Sequence, residues 1–421
     1  MRLLGKWRLR SVPLLARGTN EGRPLTVSLM IDRVHFENFK SLANVALRLG
    51  QLTVLVGANG CGKSSVLQAL HLLSQTGFAT SGDHSKAIGR AEWLYGTSLA
   101  TPRRLIYRGG TSQMTLVMRD HDGDELRLVI RVAGAGDPDQ PAFEVSAGPA
   151  ASLHCNIPPS TKSSTKTWDQ VHDVIGSAHV RRFGPAAYLH LDAREMVKTS
   201  LLEDEVPRME PDGEGLASVL AWMKGAAEDE LAEVTADLRK VVPGVKRIRT
   251  LRERVTQRRM EKLDIDGQPV WRPVDESQIG DRFAIEFDDG PEVPADLLSE
   301  GTVLALGLLT KLREQNRPKL VLLDDIDRGL HLGAQARLVD VLRELLKLDP
   351  ELQIVCTTHS PYLLDLFQPA EVRVLALDAE RRTHARPLTE HPDFAKWKFG
   401  TQTGELWAAL GEDWVTSGGA G

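Results

Sequence analysis

The amino-acid sequence predicts an α/β fold with a mixed, largely parallel sheet core, an antiparallel β lobe and an inserted helical lobe. Three observations carry this expectation. A strand pattern, "LTVLVG", runs into a glycine-rich loop and then into a helix with one apolar face, "KSSVLQALHLL". Towards the C-terminus two apolar strands, "KLVLLDD" and "LQIVCTTH", are each preceded by an amphipathic helix, the pattern of parallel strands covered on both faces. Between these ends lie two alternating runs, "MTLVMRD" and "ELRLVIRV", joined by the turn "HDGD".

In chain order, residues 1–29 carry Arg2, Lys6, Arg8, Arg10, Arg17 and Arg23 against the single acid Glu21, and read as a basic, poorly ordered arm. Residues 30–150 form the first half of a core domain. Here "MIDRVHFENF" alternates around Ile31, Val34 and Phe36, "NVALRL" follows, and Leu49-Gly50-Gln51 turns the chain into the third strand. The glycine-rich loop, its helix and the β lobe complete this half. Residues 151–295 read as an inserted lobe. It opens on a polar loop at 156–167 and continues with the helices "GLASVLAWMKG" and "DELAEVTADLRKVV", whose apolar residues recur at i, i+3 and i+4. Pro243-Gly244 closes that pair, and "RFAIEF" is a strand before the turn "DDGPEVP". Residues 296–421 form the second half of the core, in which "GTVLALGLLTKLREQ" and "AQARLVDVLRELLKL" alternate with the two apolar strands.

Composition narrows the function classes. The net charge of −5 spread over 421 residues gives no global field for nucleic acid. The three cysteines, Cys61, Cys155 and Cys356, have neither Cys-x-x-Cys spacing nor a nearby histidine, which speaks against a zinc site or a disulfide framework and for a reduced, cytoplasmic setting. No apolar run reaches the ~18–20 residues that cross a bilayer, so no membrane partner is expected. One local exception to the acidic balance is Arg239–Lys262. There Arg239, Lys240, Lys246, Arg247, Arg249, Arg252, Arg254, Arg258, Arg259 and Lys262 face only Glu253 and Glu261. Such a block fits DNA phosphates, an acidic partner or a plain solvated surface.

Four motifs carry chemistry. Gly57, Ala58, Asn59, Gly60, Cys61, Gly62, Lys63 and Ser64 spell G-x-x-x-x-G-K-S, with Ser65 next in the helix. In such a loop the backbone N–H groups wrap the phosphates of a nucleotide, the lysine reaches the β and γ phosphates, and the serine hydroxyl is a Mg²⁺ ligand. The helix that follows points its positive end at the same anion. ATP and Mg²⁺ are therefore the expected ligands. In "LVLLDDID" an apolar strand ends in acid, which assigns Asp324 to Mg²⁺ through water and Asp325 to the general base for the attacking water. In "LLSEGT", Ser299 and Gly301 start a helix, either as a second anion site or as an ordinary N-cap. In "TTHSP", His359 follows a buried strand, either to contact a γ-phosphate and its water or to cap a helix. His190 and Asp192 of "YLHLDARE" read as strand residues near the head rather than as metal ligands.

The order of these motifs, phosphate loop, "LLSEGT", "LLDDID…GLHL" and "TTHS", resembles that of ABC-type ATPase heads. It is most similar to the overcoming-lysogenization-defect class and related predicted ATPases of bacterial anti-phage defence, with chromosome-maintenance heads as more distant kin. The resemblance runs from about residue 30 to about residue 415 and includes "FENFKSL" and "GELWAALGEDWV". It implies a P-loop ATPase head that forms a homodimer or higher even oligomer. Ser299 and Gly301 of one subunit would complete the ATP site of another, and "DRGLHL" would lie at the interface. Three departures stand out. Asp325 occupies the place of the usual glutamate, one methylene shorter, which implies slow turnover or use of Asp327. Ile326 and Asp327 stand where proline and glutamate are usual, and no residue matches a glutamine loop. Relatives carry a toprim nuclease domain; the stretch after His359 is too short for one and has no Asp-x-Asp cluster, so a separately encoded effector is expected. The resemblance thus implies an ATP-driven sensor or switch in defence. A DNA-repair or chromosome-maintenance head is the alternative, and the long span from Gly57 to Ser299 disfavours a transporter subunit.

Overall fold

In the computed structural model the described residues are 30–76, 106–107, 113–132, 141–147, 151–156, 183–184, 186–201, 206–265, 268–288, 290–314, 317–397 and 401–417. The basic arm at 1–29 and most of the polar loop at 156–167 lie outside them.

The central sheet has six strands in the order β16-β15-β3-β14-β13-β8. Five are parallel: β3 (Leu52–Val56), β8 (Ala186–Leu189), β13 (Leu320–Leu323), β14 (Gln353–Thr357) and β15 (Val372–Leu377). The edge strand β16 (Thr383–Pro387) is antiparallel to β15. Every residue of β3, β8, β13 and β14 is buried, which is why these strands read as unbroken apolar runs rather than as alternating ones.

A second, antiparallel sheet has the order β2-β1-β4-β5-β6-β7. It comprises β1 (Ile31–Phe39), β2 (Leu42–Arg48), β4 (Gln113–Asp120), β5 (Glu125–Val132), β6 (Pro141–Ala147) and β7 (Ala151–Asn156). Helix α1 (Lys63–Thr76) is packed between the two sheets. Its Val66, Leu67, Leu70 and Leu73 share one core with Phe36, Leu116 and Leu128 of the antiparallel sheet and Leu55 and Leu322 of the parallel one. Since β7 pairs with β6 and β8 with β13, the chain from 151 to 189 takes part in both sheets.

The other face of the parallel sheet is covered by α2 (Leu216–Ala226), α3 (Glu228–Val241), α4 (Glu300–Arg313) and α5 (Leu332–Leu348). Asp237 of α3 has a side chain only 2% exposed, and Arg313 of α4 meets it at 2.6 Å with Lys240 at 3.1 Å on its other oxygen. A buried carboxylate needs such partners, and this one ties the inserted helices to the core.

The sequence had shown only the last six residues of a far longer element. β10 (Val245–Ile265) and β11 (Gln268–Phe287) form one antiparallel hairpin, paired from Val245↔Phe287 to Ile265↔Gln268 with a register shift between Val245 and Arg247. Its base is buried through Ile248, Phe283 and Ile285 and is flanked by β12 (Glu292–Pro294) and β9 (Ser200–Leu201). Further out, Leu251, Trp271 and Ile279 are exposed.

Candidate functional site

Parallel pairing brings the C-terminal ends of β3, β14, β13 and β8 to one edge of the sheet, the place where α/β folds bind ligands. The glycine loop leaves β3, "TTHS" leaves β14, the acids leave β13, and His190 follows β8.

The glycine loop is shaped by what presses on it. Gly57 has φ +146, and a Cβ there would stand 2.2 Å from the carbonyl oxygen of Leu375 on β15. At Gly62, φ +107, a Cβ would meet Thr383 Oγ1 at 2.5 Å. Thr383 donates to the Cys61 carbonyl at 2.9 Å and lies 2.8 Å from Ser41 Oγ, so β16 and the "FKSL" turn both brace the loop. Lys63 Nζ donates to the carbonyls of Gly57 (2.8 Å) and Ala58 (3.1 Å), which aims the ammonium across the loop mouth. Ala58, Asn59 and Gly60 form the exposed rim, Cys61 and Gly62 are buried beneath it, and Ser64 and Ser65 open α1.

Ser64 and Asp324, far apart in sequence, meet here: the Ser64 hydroxyl donates to Asp324 Oδ1 at 3.1 Å. The same carboxylate accepts from Thr357 Oγ1 at 2.7 Å and from Tyr188 at 3.2 Å, with His190 Nδ1 3.7 Å away. Burial alone would raise the Asp324 carboxyl, but His190, Thr357 and Ser64 outweigh it and hold Asp324 below the ordinary carboxylate range. The interaction with Asp324 in turn raises the His190 imidazole against the effect of burial, and burial together with that carboxylate raises the Tyr188 hydroxyl, which stays a donor. An ionised carboxylate beside a serine hydroxyl is the hard-oxygen pair that suits Mg²⁺, and with the braced glycine loop the residues present fit a Mg²⁺-nucleotide.

Asp325 sits in the left-handed region, φ +54. Its N–H donates to Thr357 Oγ1 at 2.8 Å, while its Oδ1 lies 3.9 Å from His359 Nε2, both side chains being about two-fifths exposed. Aspartate tolerates this backbone better than glutamate does, because its short polar side chain bonds locally. That is a physical reason for the shorter acid at this position. Asp327 faces elsewhere: its Oδ1 accepts from Thr358 Oγ1 at 2.7 Å.

Ser299 and Gly301 are not joined to this cluster among the described residues. The Ser299 hydroxyl caps α4, accepting from Thr302 N–H at 3.2 Å. Gly301 is buried, and a Cβ there would stand 2.4 Å from the Gly329 carbonyl oxygen, so its small size serves packing against the "DRGLHL" loop of its own chain. Asp192 caps the short helix Ala193–Met196 through Arg194 N–H. His190 and Tyr188, which touch Asp324, were not legible as site residues; only the parallel pairing of β8 with β13 reveals them.

The side chains of Arg258, Arg259 and Lys262 lie outside the described residues; the rest of the basic stretch Arg239–Lys262 divides in two. Arg239 donates to the carbonyls of Val245 and Lys246, Lys240 pairs with Asp237 and Glu344, and Lys246, Arg247 and Arg249 surround Glu286, whose carboxyl Lys246 and then Arg247 hold down at about 2. Arg252 and Arg254 are exposed, with no ion pair among the described residues.

Comparison with known proteins finds partial matches. The family described as "AAA domain, putative AbiEii toxin, Type IV TA system" matches residues 194–365, and the AAA ATPase domain family matches residues 30–105. The DNA replication and repair protein RecF of Porphyromonas gingivalis is 31% identical over 107 residues, 25% of this chain and 24% of that one. The Septu protein PtuA of Bacillus thuringiensis is 30% identical over 77 residues, 18% and 19% of the two chains. The OLD nuclease of Thermus scotoductus is 43% identical over 44 residues, 10% and 8%. The chain thus spans about a quarter or less of these relatives. Among solved structures, the Smc head bound to the C-winged helix domain of ScpA superposes with a TM-score of 0.50 at 14% identity, covering 85% of this chain and 96% of that one. The Smc head with an extended coiled coil, bound to the C-terminal domain of ScpA derived from Pyrococcus furiosus, gives 0.51 at 12%, covering 87% and 98%. Two stretches of the chain thus match AAA ATPase domain families, and its fold is SMC/ABC-head-like.

Proposed function

We propose that this protein is an ATP-hydrolysing switch whose two-subunit state is set by ATP and read by a separately encoded effector in anti-phage defence. The observation that supports the catalytic part is the meeting of Ser64, Asp324, Asp325, Thr357 and His359 at one sheet edge. Lys63 would hold the β and γ phosphates of ATP. Ser64 and Asp324 would hold Mg²⁺, which when bound neutralises phosphate charge. Asp325 takes a proton from the water whose oxygen attacks the γ-phosphorus; the bond from that phosphorus to the β–γ bridging oxygen breaks, and ADP leaves with the oxygen. His359, opposite Asp325, would contact the γ-phosphate or this water. Tyr188 and His190 orient Asp324. Ser299 and Gly301, at the start of α4, would close the site of a second subunit. The likeness to PtuA and the OLD nuclease supports the defence setting.

A DNA-repair head is the second reading, favoured by the likeness to RecF and by Arg252 and Arg254 on the hairpin. The test of the common part is ATP binding and phosphate release by Lys63→Ala. Loss of both is expected, and retention of either at the parental level would remove the site from this loop. Salt-dependent binding of duplex DNA without a co-purifying effector would favour the repair reading.

A further inference from the structure

The C-terminal segment bridges two parts of this site. At one end, α6 (Thr403–Leu410) is seated on the chain that follows His359. Gly404 N–H donates to Asp365 Oδ1 and Thr403 Oγ1 to the Phe367 carbonyl, both at 2.7 Å, and a Cβ on Gly404 would stand 1.8 Å from the Pro361 carbonyl oxygen. At the other end Gly411, φ +63, turns the chain back, and Glu412 Oε2 accepts the N–H of Ala58 in the glycine loop at 2.9 Å. The next turn, Asp413–Ser417, anchors that contact: Trp414 and Val415 are buried, Trp414 Nε1 donates to the Gly411 carbonyl, and its ring meets His391 edge-on at 5.0 Å.

A carboxylate therefore sits on a backbone donor of the loop whose donors attract phosphate. We propose that Glu412 is an internal anion that competes with ATP for the glycine loop, and that phosphate binding releases residues 411–417 from it. The inference rests on the reading of the loop as an ATP site. Because α6 is clamped to Pro361, Asp365 and Phe367, the Glu412 contact tethers the glycine loop to the segment that carries His359, and its release by nucleotide loosens that tether. The only described polar contact of the Glu412 carboxylate is with Ala58, so neutralising it removes charge without removing a structural ion pair.

Glu412→Gln keeps the size and an acceptor oxygen and removes the charge. Binding of a fluorescent ATP analogue with Mg²⁺ is expected to tighten about three- to tenfold at low salt, with the gap closing as salt screens the repulsion. In the parent, amide hydrogen exchange across 411–417 is expected to rise on addition of ATP. Equal or weaker affinity of the variant, or exchange in 411–417 that ATP leaves unchanged, would overturn the inference. Lys63→Ala separates the two levels: if it binds ATP as the parent does, the ATP-site reading itself falls, whereas its loss of binding beside an unaltered Glu412→Gln removes only the role of Glu412.

Discussion

Asp325→Asn is the change that separates chemistry from everything else in this site. Asparagine accepts the left-handed backbone at φ +54 as readily as aspartate, so the turn after β13 should keep its shape. Little stability is at stake. The hydrogen bond that fixes the turn comes from the Asp325 backbone N–H to Thr357 at 2.8 Å and survives the substitution. The side chain offers only a 3.5 Å approach to Thr357 and a 3.9 Å ion pair with a half-exposed His359, worth at most ~1 kcal/mol. Loss of a general base costs about 10²- to 10⁴-fold in rate, roughly 3–5 kcal/mol in the barrier. Thermal melting and ATP·Mg²⁺ binding should therefore stay near the parent while phosphate release at saturating ATP falls at least a hundredfold. Hydrolysis at the parental rate would refute the assignment. Asp327 would be the next candidate, although its carboxylate is turned towards Thr358.

Other outcomes follow from the same contacts. Asp324→Asn should lose the Mg²⁺-dependent part of ATP binding, read by titrating nucleotide with and without Mg²⁺, because it removes the charge that Ser64, Thr357, Tyr188 and His190 converge on; equal Mg²⁺ dependence would move the ion elsewhere. Gly301→Ala should lower stability by about 1–3 kcal/mol in a denaturant titration, since its Cβ would press on the Gly329 carbonyl; an unchanged midpoint would show that the loop yields. Arg252→Glu with Arg254→Glu should flatten the salt dependence of DNA binding, while Arg247 and Arg249 make poor probes because they hold Glu286; an unchanged salt slope would return the hairpin to plain surface.

How much of this was legible in the sequence depended on burial. β3, β13 and β14 are buried along their whole length, and their apolar runs marked both the strands and the chemistry at their ends. The outer hairpin gave no such signal. With Leu251, Trp271 and Ile279 exposed, neither face needs an apolar alternation, and Arg239–Lys262 read as a basic block when half of its charges in fact brace Glu286, Asp237 and backbone carbonyls. Tyr188 and Glu412 carried no signal, and His190 read only as a strand residue near the head, for another reason. Their neighbours, Asp324 and Ala58, are distant in sequence and are met only through sheet pairing and the return of the C-terminus. Gly301, expected at a helix start that serves as an anion site or an N-cap, also packs tightly against Gly329, a contact that its spacing in the sequence did not signal; a bulky test substitution there would damage packing before it tested chemistry.

The claim that the ATP site spans two subunits is tested most directly by mixing Lys63→Ala with Ser299→Asp. Aspartate retains the N-cap of α4, so the second variant keeps its fold while placing a carboxylate where a partner's phosphate would lie. Each variant alone should be inactive. A mixed pair keeps one site with Lys63 and Ser299 both intact, and random pairing should restore roughly a quarter of the parental phosphate release. No recovery, with mixed pairs demonstrated by co-purification of differently tagged chains, would contradict the composite site, as would full activity of Ser299→Asp alone.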